Sequence, residues 1–472
     1  IEKTFGSKFV VVIGITPKTG DAFQPIVLEK VRRMTDGLRD TPGVVKGNLL
    51  SLAARRAKSI HGTSEGMEVH PLMEAVPQTE AGREALRRAL QDNPAYLHAI
   101  VSQDGRTAAI IAEFLDDPKG FRGIMEKIHA VVDRERDERI DIAIGGLPAA
   151  LAQIEIYSER MGILFPLALV IIAAIHYEAF RTIQGLLLPL VTGLLAVIWG
   201  LGAMGLAGVP MDTFNATTPI LILAVAAGHA VQILKRYYEE YHRLRGTTAM
   251  PAIEANQAAV VESVTRVGPA MLTAGIVAAL GFFSLVVFDI AAIRTFGIFA
   301  GIGILNALWL EMTFIPAVRS WLSPPGEREG RLEREERIWD RLTHSIAEWV
   351  TGHNRTHGYV LVGVFLAVLL VGMFQVTVDN SPKHLFAKSL PFQQDDQTLN
   401  AQLGGTNSLY LLVQGRETDA LKDPAVLAAM DATQRFLEQQ PYVGKTLSLA
   451  DFVKRMNRAM HRDDPAYDRI PE

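Results

Sequence analysis

The chain has 472 residues, 49% of them hydrophobic and 21% charged, and a mean hydropathy of +0.17. A net charge of −4 supplies no basic field for nucleic acid. The absence of cysteine excludes disulfide scaffolds, thiolate metal sites and cysteine nucleophiles, and the apolar content excludes disorder. The first residue is Ile1, so the sequence reads as an interior piece of a longer protein, in which a preceding span exports the N-terminal polar region.

The first 158 residues alternate strand and helix signals. Residues 9–15 are a β-rich run, 25–39 have helical spacing and stop before Thr41-Pro42-Gly43, and 44–52 predict a second strand. Segments 96–102 and 107–115 flank Gln103-Asp104-Gly105-Arg106, a hairpin signal. Residues 118–138 read as helix and 140–145 as strand, while 55–93 form a polar insertion with no structure assigned. The order βαβ–βαβ predicts a ferredoxin-like split sheet with helices on one face.

Six apolar stretches come next, at 161–176, 183–207, 214–234, 267–288, 291–315 and 358–376. About 20 apolar residues cross the hydrocarbon as a helix, so a five-span bundle is expected over 159–322 and a further span over 357–377. Between them, 323–356 is charged, yet Ile338, Leu342, Ile346, Trp349 and Val350 share one helical face. That pattern predicts an amphipathic helix lying on the membrane surface. Pro189 and Pro219 are expected to kink their helices. Loops on one side of the spans carry 13 Lys and Arg, and those on the other side carry only Arg294. The positive-inside rule then puts the first set in the cytoplasm and the polar regions 1–158 and 378–472 outside. Cysteines at Ser102 and Ser323 would test it.

The second polar region repeats the start of the first. Leu403-Gly404-Gly405 precedes the run 408–413 as Phe5-Gly6-Ser7 precedes 9–15. Helical residues 427–437 answer to 28–38. Pro441, Val443, Lys445 and Leu447-Ser448-Leu449-Ala450 come in the order of Pro42, Val44, Lys46 and Leu50-Ser51-Leu52-Ala53. The prolines are 399 positions apart and the serines 397. Such an internal repeat predicts twelve spans, of which this chain holds six, and a second extracytoplasmic domain beginning at 378.

Hydrolytic and ATP-driven chemistry find no motif. Gly444-Lys445-Thr446 ends like a phosphate loop, but the position of its first glycine is Gln439, and neither HExxH nor GxSxG occurs. No enzyme activity, cofactor or metal is expected; His353 and His357 have ligand spacing with nothing to support them. His229 is different. It interrupts an apolar helix six residues before Lys235, where an ionisable group is costly and faces the bundle interior. Imidazole titrates near neutrality and could relay protons, or the ring could be neutral and structural. Gln232, three residues on, could orient it. Glu311 is either neutral or paired in the bundle, or lies at the inner interface beside Pro316 and Arg319. Glu262 and Arg266 form an ordinary i, i+4 pair, and Gly297 with Gly301 makes a GxxxG motif for close helix packing.

Three stretches carry a family resemblance: Leu223 to Tyr237 with its Gly228-His229, residues 256–281 with Val264-Thr265-Arg266-Val267-Gly268-Pro269, and Gly404-Gly405-Thr406-Asn407 with Lys445 to Phe452. In these the chain resembles the resistance–nodulation–division superfamily, in its MMPL-type branch of predicted exporters. The resemblance implies a membrane protein with an α-helical transmembrane bundle, extracytoplasmic α+β porter-type domains, and proton-driven export of a hydrophobic or lipid-like substrate from the inner membrane. Members usually carry an acidic residue after the glycine in this span, serving the proton relay; here His229 takes its place. Its partner is expected in the second repeat, with Glu311 as the alternative. The rival reading is a non-transporting, lipid-sensing or lipid-binding membrane protein of the same fold. Expected partners are membrane lipids and the substrate, with homo-oligomer formation open.

Overall fold

The structure is a computed structural model that describes residues 9–93, 95–212, 214–248, 250–326, 338–351, 355–379, 381 and 385–471. The chain divides into two compact units, Ile1–Ile156 with Asp379–Glu472, and Tyr157–Val378.

In the first unit, β1 (Phe9–Pro17) is the centre of a three-stranded antiparallel sheet, between β4 (Ala108–Phe114) and β5 (Ile140–Gly145). Its sequence, FVVVIGITP, is apolar almost throughout, because both faces are covered. On one face Val11, Ile13 and Ile15 meet α1 (Pro25–Asp40) and α3 (Gly120–Val132) through Val27, Leu28, Val31, Ile124 and Ile128. On the other face α11 (Pro391–Gln402) lays Leu399, with Leu403 just beyond it, on Val12 and Ala109. Two glycines make room for it: a Cβ at Gly14 or Gly145 would come within 2.4 or 2.7 Å of a Leu399 methyl. Thr107 Oγ1 donates to Gln402 Oε1 (2.8 Å), and the Ile144 amide donates to Asp395 (3.1 Å).

Several local expectations are corrected. Residues 44–52 are not a continuous strand. Val44 and Leu50 each bridge to β4, opposite Phe114 and Ile111, and a 3₁₀ turn over Lys46–Asn48 lifts the chain between them. Gly43 and the Gly47-Asn48 pair favour turns there. The turn at 102–107 forms, with the Ser102 amide donating to Thr107 O (2.9 Å), but its first arm contributes only single bridges. The unassigned stretch 55–93 folds as a hairpin, β2 (Lys58–Thr63) with β3 (Gly66–Pro71), followed by α2 (Glu80–Gln91), whose Thr79 side chain accepts from the Gly82 amide. The run 408–413 is exposed and joins no ladder among the described residues. Beyond it lie α12 (Pro424–Glu438) and α13 (Leu449–Met460), the latter opened by a Ser448–Asp451 capping box. Helix α13 packs on the β2–β3 hairpin, where Arg455 donates to Ile60 O and the Gly62 amide donates to Asp463 (2.8 Å).

The second unit is helical, and among the described residues six helices are long and apolar enough to cross a membrane. They are α4 (Leu147–Phe180), α5 (Ile183–Leu206), α6 (Thr218–Thr247, extended by a 3₁₀ turn from Asn215), α7 (Ala252–Phe283), α8 (Ala291–Trp321) and α10 (Arg355–Met373). Helices α5 to α8 pack together. The apolar surface of α10 is exposed from Tyr359 to Met373, as suits a lipid-facing helix. The chain is a multi-pass membrane protein. Pro189 lies inside α5, whereas Pro219 sits in the first turn of α6, where it removes only an amide without an intrahelical partner. The expected kink at Pro219 is therefore a helix start. The amphipathic segment is α9 (Ile338–Thr351), with Leu342, Ile346, Trp349 and Val350 exposed. Residues 327–337 and His353 lie outside the described residues.

Candidate functional site

Helices α6 and α8 carry the site. Apolar side chains hold α6 in the bundle: Ile222, Leu223, Ala226, Ala230 and Ile233 are all buried. That face brings His229 to α8, where its Nδ1 stands 3.1 Å from Glu311 Oε2. The Glu311 side chain is fully buried and that of His229 is 16% exposed. Glu311 Oε1 is buried with no hydrogen-bond partner among the described residues. The carboxyl is therefore enclosed on one side by an imidazole and is open to a proton on the other.

Sequence reasoning named both residues, but it favoured a partner for His229 in a second repeat. The structure brings Glu311, the alternative, to His229, and Glu311 is interior to the bundle, not at its interface. Gln232 is not part of the arrangement: it is exposed, and no hydrogen bond joins it to the ring. Helical spacing of three puts two residues on neighbouring positions, yet the shared face here runs through 222, 226, 229 and 233, which leaves 232 on the rim.

Two neighbours were given no role in the sequence reading. His176 of α4 is buried, with Nδ1 2.7 Å from Ile172 O and Nε2 3.3 Å from Ala227 O, two residues from His229. Its signal was the one that marked His229, a lone histidine in an apolar run. Arg319, two turns beyond Glu311, is 2% exposed. It donates to Gln184 Oε1 and to the Tyr237 hydroxyl (2.5 Å), and Tyr237 in turn donates to Asn256 Oδ1 (2.6 Å). Glu262 holds Arg266 as expected (2.5 Å), and Arg266 also reaches the buried Glu240, which Arg236 and Arg243 flank.

The GxxxG glycines of α8 face the end of α7. A Cβ at Gly297 would fall 2.5 Å from Phe282 O, and one at Gly301 2.6 Å from the Phe283 ring. Their hydrogens permit that closeness. Among the described residues no group of three or more His, Cys, Asp or Glu is placed to hold a metal.

Comparison with known proteins fits this architecture. The chain is 30% identical over 206 residues to the membrane protein MJ1562 of Methanocaldococcus jannaschii, covering 42% of this chain and 50% of that one. It is 21% identical over 417 residues to the hopanoid transporter HpnN of Burkholderia multivorans, covering 86% of this chain and 42% of that one. It is 25% identical over 351 residues to the membrane protein SCO0839 of Streptomyces coelicolor, covering 67% of this chain and 46% of that one. The chain spans about half the length of the curated relatives it matches. The model of the MMPL family matches residues 28–352, more than half of the sequence, and the chain belongs to that family.

Proposed function

We propose that this chain is part of a proton-driven exporter that moves a hydrophobic, lipid-like molecule out of the inner membrane. The His229–Glu311 pair, its carboxyl fully buried, carries the reading. A histidine and a carboxylic acid enclosed among apolar helices are expensive to keep unless their charge is used. Glu311 Oε1, without a partner among the described residues, is where a transported proton would bind, and the imidazole would hold or release the countercharge. A shared proton is thereby linked to the packing of α6 against α8. The similarity to a protein named a hopanoid transporter supports a lipid-like substrate.

The first unit would act as a porter-type domain on the extracytoplasmic side, as the Lys and Arg asymmetry suggests. Its strand order, β5–β1–β4 with 44–50 bridged beyond β4, fits a ferredoxin-like split sheet. The proposed repeat draws support from matching details. Helices α1 and α12 both open on a proline, Pro25 and Pro424. Thr35 on α1 bonds Ser51 (2.8 Å), and Gln434 on α12 bonds Ser448.

The test is export of a hydrophobic reporter by the full-length protein in vesicles with an imposed pH gradient. His229→Ala and Glu311→Gln should each abolish gradient-driven export while the protein still inserts and elutes as a single species. His229→Asp should retain part of it. Unchanged export in both variants would refute the assignment. Lipid binding without any gradient-driven movement in the unaltered protein would favour the sensing role instead.

A further inference from the structure

Four rungs join α6 and α8. On α8 they fall at Thr295, Gly303, Glu311 and Arg319, eight residues apart; on α6 and its leading turn they fall at Asn215, Ile222, His229 and Tyr237. The first rung is Asn215 Nδ2 donating to Thr295 Oγ1 (3.0 Å). In the second, Ile222 rests on bare backbone: a Cβ at Gly303 would lie 2.1 Å from its Cδ1, and one at Gly200 of α5 2.8 Å away. The third is His229 with Glu311, and the fourth is Tyr237 with Arg319. Both helices therefore run the same way, and three rungs are polar while one is apolar.

Buried oxygens without hydrogen-bond partners among the described residues lie on both sides of the apolar rung. Before it are Asn215 Oδ1 and Thr218 Oγ1, on residues that are 0% and 1% exposed. After it is Glu311 Oε1. Asn215 is fixed by Asp212, which accepts from its amide (2.8 Å) and its Nδ2 (3.0 Å). Buried polar atoms left unsatisfied by protein call for water. Asn215, Thr218 and His229 lie on one side of α6, and Ile222 stands between, ~10 Å from His229 at 1.5 Å per residue.

We infer that Asp212, Asn215, Thr218 and Thr295 form a water site through which the proton enters, and that Ile222, seated against Gly200 and Gly303, is the dry seal separating it from the His229–Glu311 pair. An apolar constriction stays dewetted until the helices part. The proton then passes from water held on Asn215 and Thr218 to Glu311 Oε1 only when Ile222 leaves its glycine seat. This rests on the proton-coupled reading above.

The experiment needs no substrate. Full-length protein is reconstituted in liposomes with a trapped pH dye, and proton flux down an imposed pH gradient is monitored. Ile222→Ser should raise the flux about tenfold or more, because a hydroxyl rewets the constriction. Ile222→Ala, smaller but apolar, should stay tight, and it controls for loosened packing. Adding Glu311→Gln or Thr218→Val to Ile222→Ser should bring the flux back toward the unaltered level. No leak in a well-folded Ile222→Ser protein, an equal leak in Ile222→Ala, or a leak indifferent to Glu311→Gln would overturn the seal. So would a leak driven by an imposed sodium gradient rather than the proton gradient. If Ile222→Ser fails to leak while Glu311→Gln abolishes export, the seal falls and the coupling pair stands. If the leak depends on Glu311 while export does not, the path stands and the export reading falls.

Discussion

Arg319 is a buried cation with no acidic partner among the described residues. Taking a guanidinium out of water costs several kcal/mol, so other groups must compensate. Its donors reach Gln184 of α5, Tyr237 of α6 and Ser323 O at the end of its own helix (3.1 Å), and it lies 4.5 Å from the centre of the Tyr237 ring. The carbonyl end of the α8 dipole adds further stabilisation. Because Tyr237 passes a hydrogen bond on to Asn256 of α7, this one side chain ties four helices at the same end of the bundle. Lysine keeps the charge and loses the fork that serves these acceptors. Arg319→Lys is expected to destabilise the solubilised full-length protein by about 2 kcal/mol, the scale of hydrogen bonds to a charged group, read as a lower midpoint of thermal unfolding. Tyr237→Phe keeps the ring but removes both the acceptor for Arg319 and the donor to Asn256, and should cost about 2 kcal/mol or more. A lysine variant as stable as the original would show that charge alone matters at this position.

At the scale of elements, α11 has the most informative packing. It lies nearly 400 residues from β1 in sequence, yet Leu399 is fully buried on that strand and two sheet glycines are shaped around it. Leu399→Ala should destabilise the first unit by ~3 kcal/mol, the cost of a large-to-small change in a closed site. Hydrogen exchange on the full-length protein should then speed up at β1 and β5, and unchanged protection there would mean that α11 is not needed for the sheet. This contact also marks the limit of what was legible. The spans announce themselves, because an apolar run of about 20 residues has few other homes. His229 and Glu311 were each conspicuous as polar side chains in apolar helices. Their pairing was not, since contact across 82 positions depends on how α6 and α8 pack rather than on any local pattern. The hairpin 58–71 was hidden by its polar composition, one of its strands being largely exposed. The run 408–413 looked like a strand because its residues favour one, but a strand exists only where a ladder accepts it. The Leu-Ser-Leu-Ala blocks share a serine that caps the amide two residues on, at Ala53 (3.2 Å) and Ala450 (3.0 Å), yet only the second has an acid at the next position and starts a helix.

For the whole molecule, sidedness decides whether the first unit can handle a substrate that has left the membrane. The charge asymmetry predicts that this unit is outside and that the end of α6, with Arg243 and Arg245, and the turn into α7 are in the cytoplasm. The sequence alone would place a reporter cysteine at Ser102, but that side chain is buried and bonded to Asp104 (2.5 Å), so labelling there would report packing rather than topology. Ser64, in the turn between β2 and β3, and Thr247, at the end of α6, are both exposed. The chain has no cysteine of its own, so each substitution supplies the only thiol in this part of the protein. An impermeant thiol reagent added to intact cells should label Ser64→Cys and spare Thr247→Cys until the membrane is opened. Surface labelling depends on access alone, so it holds whatever the substrate or the coupling ion is. The opposite pattern would invert the bundle. The water site before Ile222 would then face the cytoplasm, and a proton entering through it could not drive export.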